Sequence, residues 1–389
     1  MKSIMDPAAR NAMNVNKQPR LTIDAVAKQG TAVPNLHRNN GFDLLRLIAA
    51  MLVLAGHAFS LTGAFPPGLL GNPIGTVGVK IFFVTSGYLV TQSWLADPRL
   101  SAFAMRRALR IMPALIFVVL VTSLMLGPFF SSLSLKSYFH SSSTWFYMCN
   151  IAFYPNYSLP GVFGHNPYPI AVNGSLWSLP VEVLMYLLTP IIVGYSIRGA
   201  KLALPLFALC CALSGIWFVR VTPVDPVPVV YGTSLISLVD VAPYFQLGAV
   251  YAVFQLNRFS RPVLSLGLVA SAQIVLSIFG SRLNPAVVTE ISLLLTLPFA
   301  VVSVGYIHIS GPIGRLLAKG DLSYGVYLYA FPMQQAVTSL YGDGIGPVTN
   351  FILAGLPTFA CAWLSWHFVE RNALRLKPPR AVGSRPDGM

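Results

Sequence analysis

Charge is what this sequence has least of. Charged residues fill 10% of its 389 positions, where a soluble domain usually carries about 25%, too few to cover a water-facing surface. Acidic residues are the scarcer half, 12 Asp and Glu against 26 Lys and Arg. That excess would point to nucleic acid if the basic residues gathered in one patch or followed aromatics along a groove; they do neither. Cysteine is sparse too. Cys149, Cys210, Cys211 and Cys361 show no CxxC or metal-type spacing, so no metal site is expected, and the adjacent pair reads as small buried hydrophobes in an apolar run. Residues 1–40 lack an apolar core of signal-peptide length and read as a mobile basic tail. No internal repeat is visible, which leaves an inverted-repeat transporter without support.

What is present is hydrophobic length. With 55% hydrophobic residues and a mean hydropathy of +0.66, the chain reads as an all-α, polytopic membrane protein. A crossing helix needs roughly 20 apolar residues, because the hydrocarbon layer is about 30 Å thick and a helix rises about 1.5 Å per residue. Ten segments qualify: Phe42–Leu61, Ile74–Leu95, Ile111–Phe130, Leu176–Tyr195, Leu202–Phe218, Leu235–Phe254, Val263–Phe279, Ile291–Ile309, Leu322–Leu340 and Pro347–Val369. Lys and Arg collect in the two tails and in alternate connections, including Arg99 to Arg110, Arg198 with Lys201, Arg258 with Arg261, and Arg315 with Lys319. The other connections hold only Lys136, Arg220 and Arg282. By the positive-inside rule both termini are expected to be cytoplasmic. The basic excess is then an orientation signal, and nucleic acid is set aside. The expected organisation is a membrane domain over 41–371 between basic tails at 1–40 and 372–389. One external connection, Ser131 to Ser175, is long and rich in Tyr, Trp, Asn, Pro and Gly, either a platform for sugar rings or an interfacial aromatic belt.

Ionisable groups inside spans are costly, so each is a functional candidate. Arg46 and His57 are eleven residues apart, which at about 100° per residue puts both on one face of the first span, with Asp43 one turn from Arg46 as an i,i+3 partner. On the fourth span Glu182 lies about 9 Å below the external boundary and His57 about 8 Å below it. A carboxylate at that depth could orient the imidazole and raise its basicity, as a general base requires. Lys80 reaches the same depth and could instead neutralise Glu182. At the cytoplasmic start of the third span, Arg107 and Arg110 share a face at i,i+3, where planar forks suit phosphate, or they serve as ordinary anchors.

These residues sit in motifs that together resemble the membrane acyltransferase-3 family of bacterial polysaccharide O-acyltransferases. The motifs run in order from about Gly41 to Lys377: GFDLLRLIAAMLVLAGHAF, GVKIFFVTSGYLV, RRALRIMPAL, SLWSLPVEVLMYLLTP, PYFQLGAVY, DLSYGVYLYAFPM and SWHFVERNALRLK. The resemblance implies that His57 is catalytic, Arg46 essential, and Arg107 with Arg110 the acyl-CoA site, while Glu182 matches the glutamate of SLWSLxVE. Two positions depart from the family pattern. Ala330 stands where many members carry His, and Lys80 where an acidic or small residue is common.

The resulting expectation is a multi-pass enzyme of the bacterial inner membrane. It would take acyl, most simply acetyl, from cytoplasmic acyl-CoA as donor substrate, with no bound cofactor, to a hydroxyl of a lipid-linked, exported or cell-surface glycan. With only about twenty residues after the last span, no esterase-like domain is expected beyond the membrane domain. The opposing reading is a glycolipid or polysaccharide transporter or flippase, which would also need a polar interior among membrane lipid.

Overall fold

The computed structural model describes residues 41–169, 171–222, 225–279, 284–342 and 344–379. The expected N-terminal tail, Arg282 and most of the C-terminal tail lie outside those residues. The described chain is helical apart from two short antiparallel hairpins. In chain order the helices are α1 (Gly41–Leu61), α2 (Ile74–Ala96), α3 (Leu100–Phe130, π-helical over Thr122–Leu126), α4 (Leu135–His140), α5 (Ser142–Phe146) and α6 (Ser178–Ile197). There follow α7 (Ala203–Val221), α8 (Leu235–Val253), α9 (Pro262–Phe279), α10 (Pro285–Gly305), α11 (Gly311–Leu317), α12 (Ser323–Tyr341) and α13 (Pro347–Leu374). The hairpins pair Gly68 with Pro73 before α2 and Val229 with Ser234 before α8.

All ten expected segments are helices. Among the described residues eight helices are long and apolar enough to cross a membrane: α1, α2, α3, α6 (extended to Gly174 by a 3-10 turn), α7, α8, α10 and α13. Helix α9 is apolar over Pro262–Leu276 among the described residues. Helix α12 falls below the same measure because it buries Tyr327, Tyr329, Gln334, Gln335 and Thr338. Its other face is small and apolar: Val326 and Ala330 pack against Ala50, Leu54 and Ala362. Ala330 is therefore a fully buried packing residue between α1, α12 and α13.

Helix α2 is the most enclosed and is held tightly by α8. A Cβ on Gly87 would collide with the Phe245 carbonyl, and one on Gly248 with the Val84 carbonyl, so glycine lets the two backbones touch where lipid gives no hydrophobic drive for association. Helix starts are set locally. The Ser234 side chain accepts from Ser237 N at α8, and Asn284, with Pro285 at the first helical position, accepts from Ala286 N and Val287 N at α10. That cap opens α10 six residues before the expected Ile291 and brings Glu290 inside the helix.

The long connection between α3 and α6 is compact. Asn166 and Gln335 hydrogen-bond at 2.7 Å, Gln335 Nε2 donates to the carbonyls of Tyr168 and Ala171, and Asn173 donates to the Leu328 carbonyl. These bonds strap the connection onto the far half of α12. The cysteine expectation holds only in part: Cys211 is half-buried, whereas Cys210 is exposed on α7.

Candidate active site

Four of the five expected site residues come together. Arg46 of α1, Arg107 and Arg110 of α3, and Glu182 of α6 line one groove, with Val79, Phe82, Phe83 and Ser86 from α2, and Ser323, Tyr324 and Tyr327 from α12. The groove encloses roughly 790 Å³ of space, its open mouth included.

The arginines reach it because α3 begins at Leu100 rather than Ile111. Each of them has a different task. Arg106 turns away and is buried against Asp97, its Nη1 donating to Oδ2 at 2.8 Å, while Arg99 grips the same carboxylate at 2.8 and 2.9 Å. Hydrogen bonds from Arg99 and then Arg106 hold the Asp97 carboxyl well below the usual carboxylate range. That pair is an anchor at the head of the helix. Arg110 donates to Asp321 and lies 3.9 Å from Glu370. Arg46 forms the expected i,i+3 pair with Asp43 and also reaches Asp321 at 3.2 Å. Burial of Asp321 opposes ionisation, yet Arg46 and Arg110 outweigh it and hold its carboxyl well below the usual range. Its other oxygen accepts from Ser323 N and Oγ, which fixes it at the start of α12.

Arg107 differs from both. Among the described residues it has no carboxylate within ion-pairing distance; its guanidinium stands 5.9 Å from the Tyr186 ring, and its Nε is buried without a hydrogen-bond partner. A guanidinium carries five N–H donors in a planar fork. An unspent fork beside two braced ones is a seat for a phosphate or another oxyanion.

Glu182 is placed differently from the expectation. Its carboxylate accepts from Ser86 Oγ at 3.1 Å and from the Tyr186 hydroxyl, one turn along α6. His57 instead stands edge-on to Phe331, ring centroids 5.0 Å apart, with a buried Nδ1 that has no hydrogen-bond partner. Glu182 faces the groove that contains Arg46, Arg107 and Arg110, bonded to the Tyr186 whose ring stands by Arg107. His57 lies outside that lining, eleven residues or about 16 Å beyond Arg46 on α1 and against Phe331, so the expected pairing at one depth is not formed.

Lys80 does not neutralise Glu182 either. Its Nζ lies 2.8 Å from both Glu290 oxygens, 3.2 Å from Asn72 Oδ1 and 3.4 Å from Asp240 Oδ1. Arg220 Nη2 meets the same three groups at 2.8, 2.7 and 3.5 Å, and the Tyr244 hydroxyl donates to Glu290 at 2.6 Å. Glu290 and Asp240 were not singled out from the sequence, nor were Asp321, Glu370 and Tyr186. A usable signal existed for two of them: Asp321 and Glu370 are the lone carboxylates in DLSYGVYLYAFPM and SWHFVERNALRLK.

Comparison with known proteins gives a family model described as an acyltransferase domain that matches residues 39–367. An O-acetyl transferase of Shigella phage Sf6 is 29% identical over 352 residues, covering 89% of this chain and 99% of its own. The peptidoglycan O-acetyltransferase OatA of Listeria monocytogenes is 28% identical over 364 residues, 84% of this chain and 54% of its own, so this chain spans about half of that relative. Nodulation protein 10 of Rhizobium leguminosarum is 27% identical over 368 residues, covering 88% and 94%. No solved structure matches the chain.

Proposed function

This chain belongs to the acyltransferase-domain family matched over residues 39–367, and from that premise we propose that it carries an acyl group from cytoplasmic acyl-CoA to a hydroxyl of an exported or cell-surface glycan. Family and relatives make it a multi-pass membrane O-acyltransferase. The donor, the glycan, a bacterial inner-membrane location and cytoplasmic termini are our reading. Acetyl is the simplest acyl group, as in the names of the relatives.

One observation carries the reading: a single groove gathers Arg46, Arg107, Arg110 and Glu182 from three separate helices and, among the described residues, leaves Arg107 without an ion pair and its Nε without a hydrogen bond. Arg107 and Arg110 lie near the start of α3, the end assigned to the cytoplasm by the positive-inside pattern, where acyl-CoA would arrive. Arg107 would take a donor phosphate; Arg110, braced by Asp321 and Glu370, would add a second positive wall. Arg46 would keep the groove electropositive further in. His57 lies eleven residues along α1, about 16 Å towards the opposite face, under the strapped external connection where a glycan would approach.

The net step forms one ester C–O bond and breaks one thioester C–S bond. The proton that leaves the acceptor hydroxyl ends on the CoA sulfur, and His57, neutral and with Nδ1 unspent, is the base that takes it in transit. Reconstitution of the purified protein with radiolabelled acetyl-CoA and lipid-linked glycan from the producing cell tests this. Label should appear in an alkali-labile glycan ester. A transporter of the same glycan would yield neither that ester nor free CoA, and such a result would overturn the reading.

A further inference from the structure

The donor groove has a charged end and an aromatic end, and the aromatic end is built. Tyr327, 6% exposed, lines the groove, and its hydroxyl is fixed at 2.6 Å from Ser178 Oγ and 2.8 Å from the Ser175 carbonyl oxygen. The Phe82 ring, also in the lining, stands edge-on to it with centroids 5.6 Å apart. One turn further along α12 is Phe331, which packs with Leu61 and Ala171. It is in edge contact with His57, and a Cβ on Gly174 would lie 2.6 Å from its ring. A donor with its phosphates on the arginines would run its acyl arm along this lining, past Ser86 and Glu182, to Phe82 and Tyr327.

We propose that Phe82 and Tyr327 form the floor of the acyl subsite and select a short acyl group. This deepens the donor assignment above and rests on it. Ser178 and Ser175 pin the Tyr327 ring by its hydroxyl, so it cannot swing aside for a longer chain, and the Phe82 ring stands edge-on against it. The selection acts on loading, before transfer. A hydrophobic pocket discriminates by roughly 10- to 200-fold for one methylene more or less, so removal of one floor ring should have a large effect on chain-length preference.

The test is binding of acetyl-, butanoyl- and hexanoyl-CoA to the purified full-length protein in detergent, by calorimetry, with no acceptor present. Wild type should favour acetyl-CoA over hexanoyl-CoA. In Phe82→Ala the affinity ratio of hexanoyl- to acetyl-CoA should rise by about tenfold or more. Phe82→Leu, a smaller loss of volume, should move the ratio the same way by less, and it carries the test if the alanine variant does not fold. A wild type that binds acyl-CoA with a ratio that stays fixed in folded Phe82 variants overturns the floor and leaves the donor assignment standing. A wild type that binds none of the three overturns the donor assignment itself.

Discussion

Two ionic clusters lie inside this bundle, and they differ in closure. Around Lys80, two cations (Lys80, Arg220) face two carboxylates (Glu290, Asp240), with Asn72 and Tyr244 filling the remaining valences. Lys80 is fully buried and each partner is within 3.5 Å. Around Asp321, Arg46 and Arg110 are braced in a similar way, but among the described residues Arg107 has no carboxylate within ion-pairing distance, and the cluster opens into a groove. Nothing in the sequence tells the two sets apart by pairing, since the partners of each come from distant segments. A satisfied cluster ties helices together; an unsatisfied one with space before it has something left to bind.

The largest effect should come from opening the closed cluster. Glu290→Ala would strand Lys80 and Arg220 in the interior, and removal of one partner from a buried pair costs about 3–5 kcal/mol. The variant should melt far below wild type in detergent or fail to accumulate. Pairing it with Lys80→Met should recover part of the loss, since Arg220 retains Asp240. A wild-type melting curve for Glu290→Ala alone would show the closed cluster to be dispensable.

His57→Ala should keep the fold and lose transfer. General-base contributions are about 10²–10⁴-fold, so labelled-ester formation should fall to about 1% or less while the melting temperature stays within a few degrees. Near-normal transfer would make the imidazole a packing residue against Phe331. Next in size, Arg107→Lys should weaken acetyl-CoA binding by roughly tenfold, the loss of one charge-assisted hydrogen bond, with no change in melting, since Arg107 braces nothing.

The smallest effect concerns pH. Lys377, on the exposed stretch just after α13, has a pKa lowered to about 8 by partial desolvation and by Arg110, Arg107, Arg106 and Arg46. The folded protein thus holds Lys377 less protonated than the unfolded chain between pH 8 and its ordinary value near 10.5. Crowding costs stability below pH 8 and is relieved as pH rises through 8. A bound polyanion reverses the sign: it raises the pKa, so donor binding should take up a proton near pH 8 and weaken by up to about tenfold as pH rises from roughly 7 to 9. Lys377→Arg should flatten that dependence in a titration series.

Much of the architecture was legible, because apolar length is a one-dimensional signal. The positions of the ten long helices follow from it. The Asp43–Arg46 pair was legible too, because it is local at i,i+3. The partnership of His57 with Glu182 was not legible: residue spacing along two helices fixes neither their relative height nor the bearing of α6, and Tyr186 and Ser86 took the carboxylate. Lys80 likewise chose Glu290, which a helix start at Asn284 rather than Ile291 carries inside the bundle. The start of α3 was missed because arginines lower the hydropathy of its first turns, although Asp97 and Asp321 neutralise them in the fold. Long-range pairings between charges need the three-dimensional arrangement, whereas the unpaired Arg107 stands out only once every other charge has been placed.

The decisive measurement is the location of the donor. A photoreactive acyl-CoA, crosslinked to the purified protein and mapped by peptide mass spectrometry with excess acetyl-CoA as competitor, should label α6 between Ser178 and Tyr186 and α3 around Arg107–Ile111. Competable label on α7 near Arg220 or on α10 near Glu290, with none in the groove, would contradict the assignment of the open cluster as the donor site.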